Sequence, residues 1–225
     1  MADSRRSLWS LVFIPAVVSA IVTVVRLAGE MLGWNETLFG KAGPGGNEQQ
    51  GLFGISWLIP IFGFWFGLKL RGIHGEPPHA GKALLVLLLA AGVFAGGMWG
   101  LGAAELVVFP STEKPGEAKG FEYMLGLMAL TALIALLAWP RLGRTLFVYA
   151  VLARIPVVVV TYLALDRNWD THYTKLPAGM TLPEGVSKFA FLAMPQMTFW
   201  IGFTMLAGGI CGCIAAGMTR KSRAL

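Results

Sequence analysis

The segment Tyr149–Leu165, YAVLARIPVVVVTYLAL, carries a single arginine, Arg154, among sixteen residues suited to hydrocarbon or its border. A lipid-facing Arg at the centre of a bilayer costs at least about 2.5–3.5 kcal/mol on insertion scales. If the segment crosses as Thr145–Leu165, Arg154 stands near the midplane. The nearer interface is then about 15 Å away, far for its side chain to reach. Its five-donor guanidinium therefore belongs against oxygen atoms of neighbouring helices or in a wet cavity. Pro156 has no N–H for the Leu152 carbonyl, which leaves one such acceptor nearby.

The carboxylates available to Arg154 are Glu30, Glu105 and, at the rim of the same helix, Asp166. Arg26 and Glu30 lie four residues apart and can pair on one helix face. Gln196 adds an amide directly after Pro195. Arg154, Glu30, Arg26, Glu105 and Gln196 together predict a polar interior in the outer half of a helical bundle. Two roles fit that set. One is a binding pocket or ion path floored by Arg154, taking a small anionic or carboxylate-bearing ligand. The other is an ion-pair network that fixes packing and binds nothing.

Outside the apolar runs, DRNWDTHY (Asp166–Tyr173) gathers Asp, Asn, Trp, His and Tyr just after a span. Trp and Tyr there have an ordinary role as interfacial anchors. Asp170, His172 and Tyr173 are nonetheless candidates for an outer-surface site, with Asp170 and His172 as an acid/base pair, although no nucleophile motif accompanies them. His74 and His79 flank GEPP, and two histidines without a third ligand make a poor zinc site. No histidine lies within a span, which excludes a transmembrane bis-histidine haem. Cys211 and Cys213, one residue apart on a helix, point away from each other and read as buried free thiols. Asn35 opens an N-E-T triplet of the glycosylation type. The chain has no Walker sequence, H-E-x-x-H, G-x-S-x-G or CxxC, no paired intramembrane aspartates and no carboxylate-rich motif for magnesium pyrophosphate. No catalytic residue, metal or cofactor is expected.

The elements that position these residues follow from composition. Of 225 residues, 56% are hydrophobic and 13% charged, against about 25% charged in soluble domains. Mean hydropathy is +0.66. The apolar residues fall into runs matching the roughly 20 helical residues that cross a bilayer. The predicted fold class is all-α: one polytopic membrane domain over residues 1–225, with six transmembrane helices. The spans are Leu8–Glu30, Leu52–Leu70, Ala83–Ala104, Phe121–Trp139, Thr145–Leu165 and Phe189–Met218. The N-terminal run outlasts a signal peptide and reads as a retained first span. Gly-, Pro- and charge-rich stretches, including the very short PRLGR, serve as the connections.

Orientation follows from Lys and Arg. Arg5, Arg6, Lys69, Arg71, Lys82, Arg141, Arg144, Arg220, Lys221 and Arg223 fall on one side, and Lys41, Lys114, Lys119, Arg167, Lys175 and Lys188 on the other. Both termini are therefore expected in the cytoplasm, with a bacterial inner membrane as the default location. The acids agree, with Asp3 and Glu76 inside. The net charge of +6 sits at span ends and forms no basic face, so nucleic acid is not an expected partner. Membrane lipid is.

Two patterns concern assembly. PIFGFWFG (Pro60–Gly67) and PQMTFWIG (Pro195–Gly202) share P-x-x-x-F-W-x-G, and IPAVV from Ile14 matches IPVVV from Ile155. Spans 1–2 and 5–6 thus form a candidate parallel repeat, a plan common in transporters. Gly92, Gly96 and Gly100, followed by Ala104, recur at intervals of four, as do Gly208, Gly212 and Ala216. Such stripes let helices approach closely, within the chain by default or between chains in a homo-oligomer or membrane complex. The function that fits best is a non-enzymatic transporter, channel or permease component. The alternatives are a structural or assembly subunit and, last, an outer-surface enzyme using Asp170, His172 and Tyr173.

Overall fold

The computed structural model describes residues 3–43, 51–74, 79–112, 114–116 and 118–218. GEPP with Glu76, and the basic tail with Arg220, Lys221 and Arg223, lie outside the described residues, as do the side chains of Arg5, Arg6 and His74. Every regular element among the described residues is helical: α1 (Asp3–Met31), α2 (Glu36–Phe39), α3 (Leu58–His74), α4 (Ala80–Ala103), α5 (Phe121–Ala138), α6 (Pro140–Asp166), α7 (Lys188–Met197) and α8 (Phe199–Met218). Short 3-10 turns occupy Ile55–Trp57 and His172–Thr174.

Five stretches are long and apolar enough to cross a membrane: Leu8–Met31, Ala80–Ala103, Phe121–Ala138, Pro140–Asp166 and Lys188–Met218. The expected second span is shorter, because α3 has 17 residues and residues 51–54 ahead of its 3-10 turn are irregular. Large apolar side chains face outward along these helices, including Phe13 and Ile21 on α1, Leu89 and Val93 on α4, and Leu133 and Leu137 on α5. A water-soluble monomer rarely exposes so continuous an apolar surface. Inside, buried hydroxyls are satisfied by their own helices. Ser19, Thr23, Thr131, Thr145, Thr161 and Thr204 each donate to the carbonyl four residues back, which removes the cost of placing a hydroxyl in hydrocarbon.

Two helix pairs organise the bundle. α1 packs along α6, joined in the core by a 3.0 Å hydrogen bond between the Ser19 and Tyr149 hydroxyls. Phe62 and Phe66 of α3 meet the Tyr149 ring edge-on. α3 lies against α8 at glycines: a Cβ on Gly63 would stand 2.5 Å from the Gly208 Cα, and one on Gly67 2.6 Å from the Gly212 Cα. Only hydrogen fits there, so the G-x-x-x-G of α3 docks on that of α8. The α8 stripe is thus an intramolecular seam. Gly92, Gly96 and Gly100 behave differently, for nothing lies within 4 Å of where their Cβ atoms would be. The default expectation of packing within the chain fails for that stripe.

PRLGR is not a loop. Pro140 opens α6, Trp139 alone separates it from α5, and Pro suits a first helical turn because its missing N–H would have no partner there. The two P-x-x-x-F-W-x-G copies also take different courses. Pro60 sits in the first turn of a continuous α3, whereas the second copy straddles a break at Thr198 (φ −126°, ψ −79°) between α7 and α8. Pro195 cannot donate to the Phe191 carbonyl, which weakens the helix just ahead of that break.

At one end of the bundle the described parts of the long connections, 32–43, 51–57, 104–112, 114–116, 118–120 and 167–187, interlock as a cap. Val108 pairs with Lys119, and Gly116 with Met180. Gly179 takes φ +76° where it crosses Ser111, a conformation and an approach that favour glycine. At the other end, α5 and α6 turn on a single residue. The polar cluster lies under the cap.

Candidate functional site

α1 and α6 bring their polar residues to the same level beneath the cap, where α7 meets α8. A cavity of about 440 Å³ lies there, within the usual range for small-molecule sites. Arg154, Gln196, Arg26, His172 and Tyr173 all line it, joined by Lys175 and Trp200. Glu105 does not take part: it is exposed on the connection after α4, with φ +56°.

Arg154 is 4% exposed. Its Nη1 donates to Gln196 Oε1 at 3.1 Å, and the guanidinium carbon stands 4.6 Å from the centre of the Trp200 ring, a cation–π arrangement. The expected carboxylate partner is absent: among the described residues no Asp or Glu oxygen forms an ion pair with Arg154. An amide and an indole hold it instead, both carried by the helix pair interrupted at Thr198. Its Nε is buried with no hydrogen-bond partner, a condition shared among the described residues only by Thr171 Oγ1. An unsatisfied buried donor on a charged group is expensive.

Arg26 and Glu30 do pair, at 2.8 Å, and both are buried. Arg26 also donates to the carbonyls of Gly51 (2.8 Å), Phe53 and Gly40 (3.4 Å). It staples the connection after α2 onto α1, and all three of its nitrogens are engaged. Glu30, fully buried, reaches across to the other long connection. Its Oε2 accepts from the His172 backbone N at 2.9 Å, and its Oε1 lies 2.5 Å from His172 Nδ1. The same Nδ1 stands 3.2 Å from Arg26 Nε; opposite an ionised Glu30 it takes the donor role. Arg26, Glu30 and His172 thus form one clamp tying two cap segments to α1.

His172 therefore serves Glu30 and not Asp170, so the expected acid/base pair is not assembled. Asp170 is exposed and held by Lys175 Nζ at 2.6 Å and Lys41 Nζ at 3.5 Å. The hydrogen bond from Lys175 is the main reason its carboxyl sits below the usual range. Burial pushes His172 below its ordinary value, against the opposing pull of Glu30. Burial also raises the Tyr173 phenol, whose hydroxyl donates to the Thr23 carbonyl at 3.4 Å. Cys211 and Cys213 are free thiols, Cys213 buried and Cys211 half-buried. Asn35 Oδ1 caps α2 by accepting from Leu38 N at 3.3 Å. Among the described residues no three His, Cys, Asp or Glu side chains gather as a metal site would require.

Two cavity residues escaped the sequence reading. Trp200 lies four residues after Gln196, the spacing that one unbroken helix would put on a single face; the break at Thr198 puts the two on different helices, and Arg154 touches both. Lys175 carried no comparable signal, because the path of its connection is set by contacts distant in sequence. A second hollow of about 570 Å³ lies between α5, α6 and the α7–α8 break. Its walls are apolar apart from Thr198, whose hydroxyl already donates to the Met194 carbonyl at 2.7 Å. Comparison with protein-family models, characterised proteins and solved structures returns no match, so the functional reading rests on this geometry.

Proposed function

We propose that the chain is a non-enzymatic multi-pass membrane protein of transporter, channel or permease type, and that it binds a small anion at Arg154. In this reading α3, extended by its 3-10 turn, supplies a sixth span. Both termini face the cytoplasm of a bacterial cell, and the cavity lies in the outer half of the inner membrane. One observation carries the reading: a buried guanidinium lines a cavity with its Nε unpartnered and, among the described residues, no carboxylate to neutralise it. A group serving packing alone would be expected to meet its counter-charge inside the protein. The interruption at Thr198, between Gln196 and Trp200, adds support, since broken membrane helices recur at transporter binding sites.

The test is anion-dependent thermal stabilisation of the purified full chain in detergent. Wild type should gain stability with small monoanions while Arg154→Gln, inserted and folded, gains none. If Arg154→Ala abolishes expression while Arg154→Lys matches wild type in every assay, the residue serves packing and the reading fails.

A second reading, a subunit of a larger membrane complex, draws on the open face at Gly92, Gly96 and Gly100. Gentle purification that retains stoichiometric partner bands would favour it. A monodisperse monomer would count against it.

A further inference from the structure

The charge inventory of the cavity narrows the ligand. Arg26 has given its nitrogens to Glu30, Gly40, Gly51 and Phe53. Lys175 shares the exposed Asp170 carboxylate with Lys41, and His172 Nδ1 is taken by Glu30. The buried cation left without a carboxylate among the described residues is Arg154, whose only hydrogen-bond partner there is the neutral Gln196 amide. One face of the guanidinium is covered by Trp200 and Nε is shut off from the cavity, so an anion meets the guanidinium in its plane at the Nη end, where Gln196 takes one donor of Nη1. A carboxylate is planar and suits such an edge.

The other walls are of a different kind. Val22, Ile55, Val157, Phe191 and Leu192 line the same space, and its volume of about 440 Å³ is that of a site for a small organic molecule. A bare inorganic anion would leave most of it empty or wet. A second negative charge carried in against Val157, Phe191 and Leu192 would find no further buried, unpaired cation among the described residues, which is costly.

Resting on the reading of the cavity as an anion site, we infer that its ligand is an amphipathic monocarboxylate: one carboxylate on the Nη end of Arg154 and an uncharged apolar body against Val157, Phe191 and Leu192. The carboxylate supplies the counter-charge that Arg154 lacks among the described residues, and the body displaces water from the apolar walls. The same features, one negative charge and an apolar tail, also describe an anionic phospholipid.

The experiment is a binding series on the full chain in neutral detergent, with acetate, butanoate, hexanoate and octanoate, then hexanedioate, inorganic phosphate, 1-hexanol and phosphatidylglycerol. Affinity should tighten by about fourfold per added methylene, the factor for burying one CH₂ at ~0.8 kcal/mol, until the cavity is filled. Hexanedioate and phosphate should bind at least tenfold more weakly than hexanoate. Arg154→Gln should lose the carboxylates and retain whatever weak affinity wild type shows for 1-hexanol.

A flat chain-length series overturns the inference, as does hexanedioate binding as tightly as hexanoate. Both are measured on the wild-type chain, so the test survives a variant that does not fold. Preference for phosphate or hexanedioate that still requires Arg154 overturns the ligand class and leaves the anion site standing. Absence of any Arg154-dependent anion binding removes both. Displacement of hexanoate by phosphatidylglycerol at lower concentration than by octanoate overturns the carboxylate in favour of a lipid phosphodiester.

Discussion

Replacing Glu30 by Gln should open the cap without unfolding the bundle. In the native chain Glu30 is fully buried and receives three hydrogen bonds, from Arg26 Nε, His172 N and His172 Nδ1. Gln keeps the volume but removes the charge, and its single oxygen cannot occupy both positions where donors now arrive. Its NH₂ group must then face either the His172 backbone N–H or the Arg26 and His172 donors, a donor-to-donor encounter. Removing one partner of a buried ion pair costs about 3–5 kcal/mol. Arg26 would keep its bonds to Gly40, Gly51 and Phe53, so the lower end, ~3 kcal/mol, is the expected magnitude. At 1.36 kcal/mol per factor of ten, local opening becomes about a hundredfold more frequent. Hydrogen exchange reads this directly. The amides of residues 51–53 and of His172 should exchange about two orders of magnitude faster, while those in the middle of α5 and α8 keep their rates. Exchange at His172 within threefold of wild type would refute the reasoning, as would equal acceleration throughout the bundle. The apolar double replacement Arg26→Met, Glu30→Leu should cost less than Glu30→Gln alone, because it leaves no orphaned charge.

Four smaller perturbations test other features. Gly63→Ala should lower stability by about 1–3 kcal/mol, seen as a lower thermal midpoint in detergent, because its methyl group meets the Gly208 backbone; Gly96→Ala, which meets nothing within 4 Å, should stay within about 0.5 kcal/mol of wild type. Burial lowers the His172 pKa, so the opened cap binds the proton more readily than the closed one. Cap protection should therefore hold above the ordinary histidine value of about 6.5 and fall as pH drops below it, levelling off once the closed state also protonates. Exchange measured from pH 7.5 to 5.5 reads this loss after correction for intrinsic rates, and His172→Gln should abolish the dependence. Asp170→Asn removes two exposed ion pairs and should change stability by no more than about 1 kcal/mol, measured by denaturation at low and high salt.

Hydrocarbon-length periodicity made most of the helices legible. Their apolar runs are long, and the ends of α5 differ from the expected span by one residue. The start of α6 was misread because Pro and Gly in PRLGR carry ordinary loop chemistry, whereas a proline at the first helical position and a glycine against Leu136 make a one-residue turn possible. Spacing alone paired Arg26 with Glu30, since four residues on a helix suffice. The same logic could not find the partner of Arg154, whose bond to Gln196 spans 42 residues. The cost of burying an arginine points to a carboxylate first, which hides a neutral amide partner such as Gln196. The G-x-x-x-G of Gly63 and Gly67 was present in the sequence but hidden among aromatics. Its role depends on which helix faces it, a tertiary fact that no local pattern encodes.

The interruption at Thr198 has a mechanical consequence. Gln196 belongs to the last turn of α7 and Trp200 to the first turn of α8, yet the same guanidinium touches both. If one rod swivels against the other, either the amide bond or the ring contact must lengthen. A ligand bound to Arg154 as proposed would therefore sense the angle at that joint and, by reciprocity, bias it.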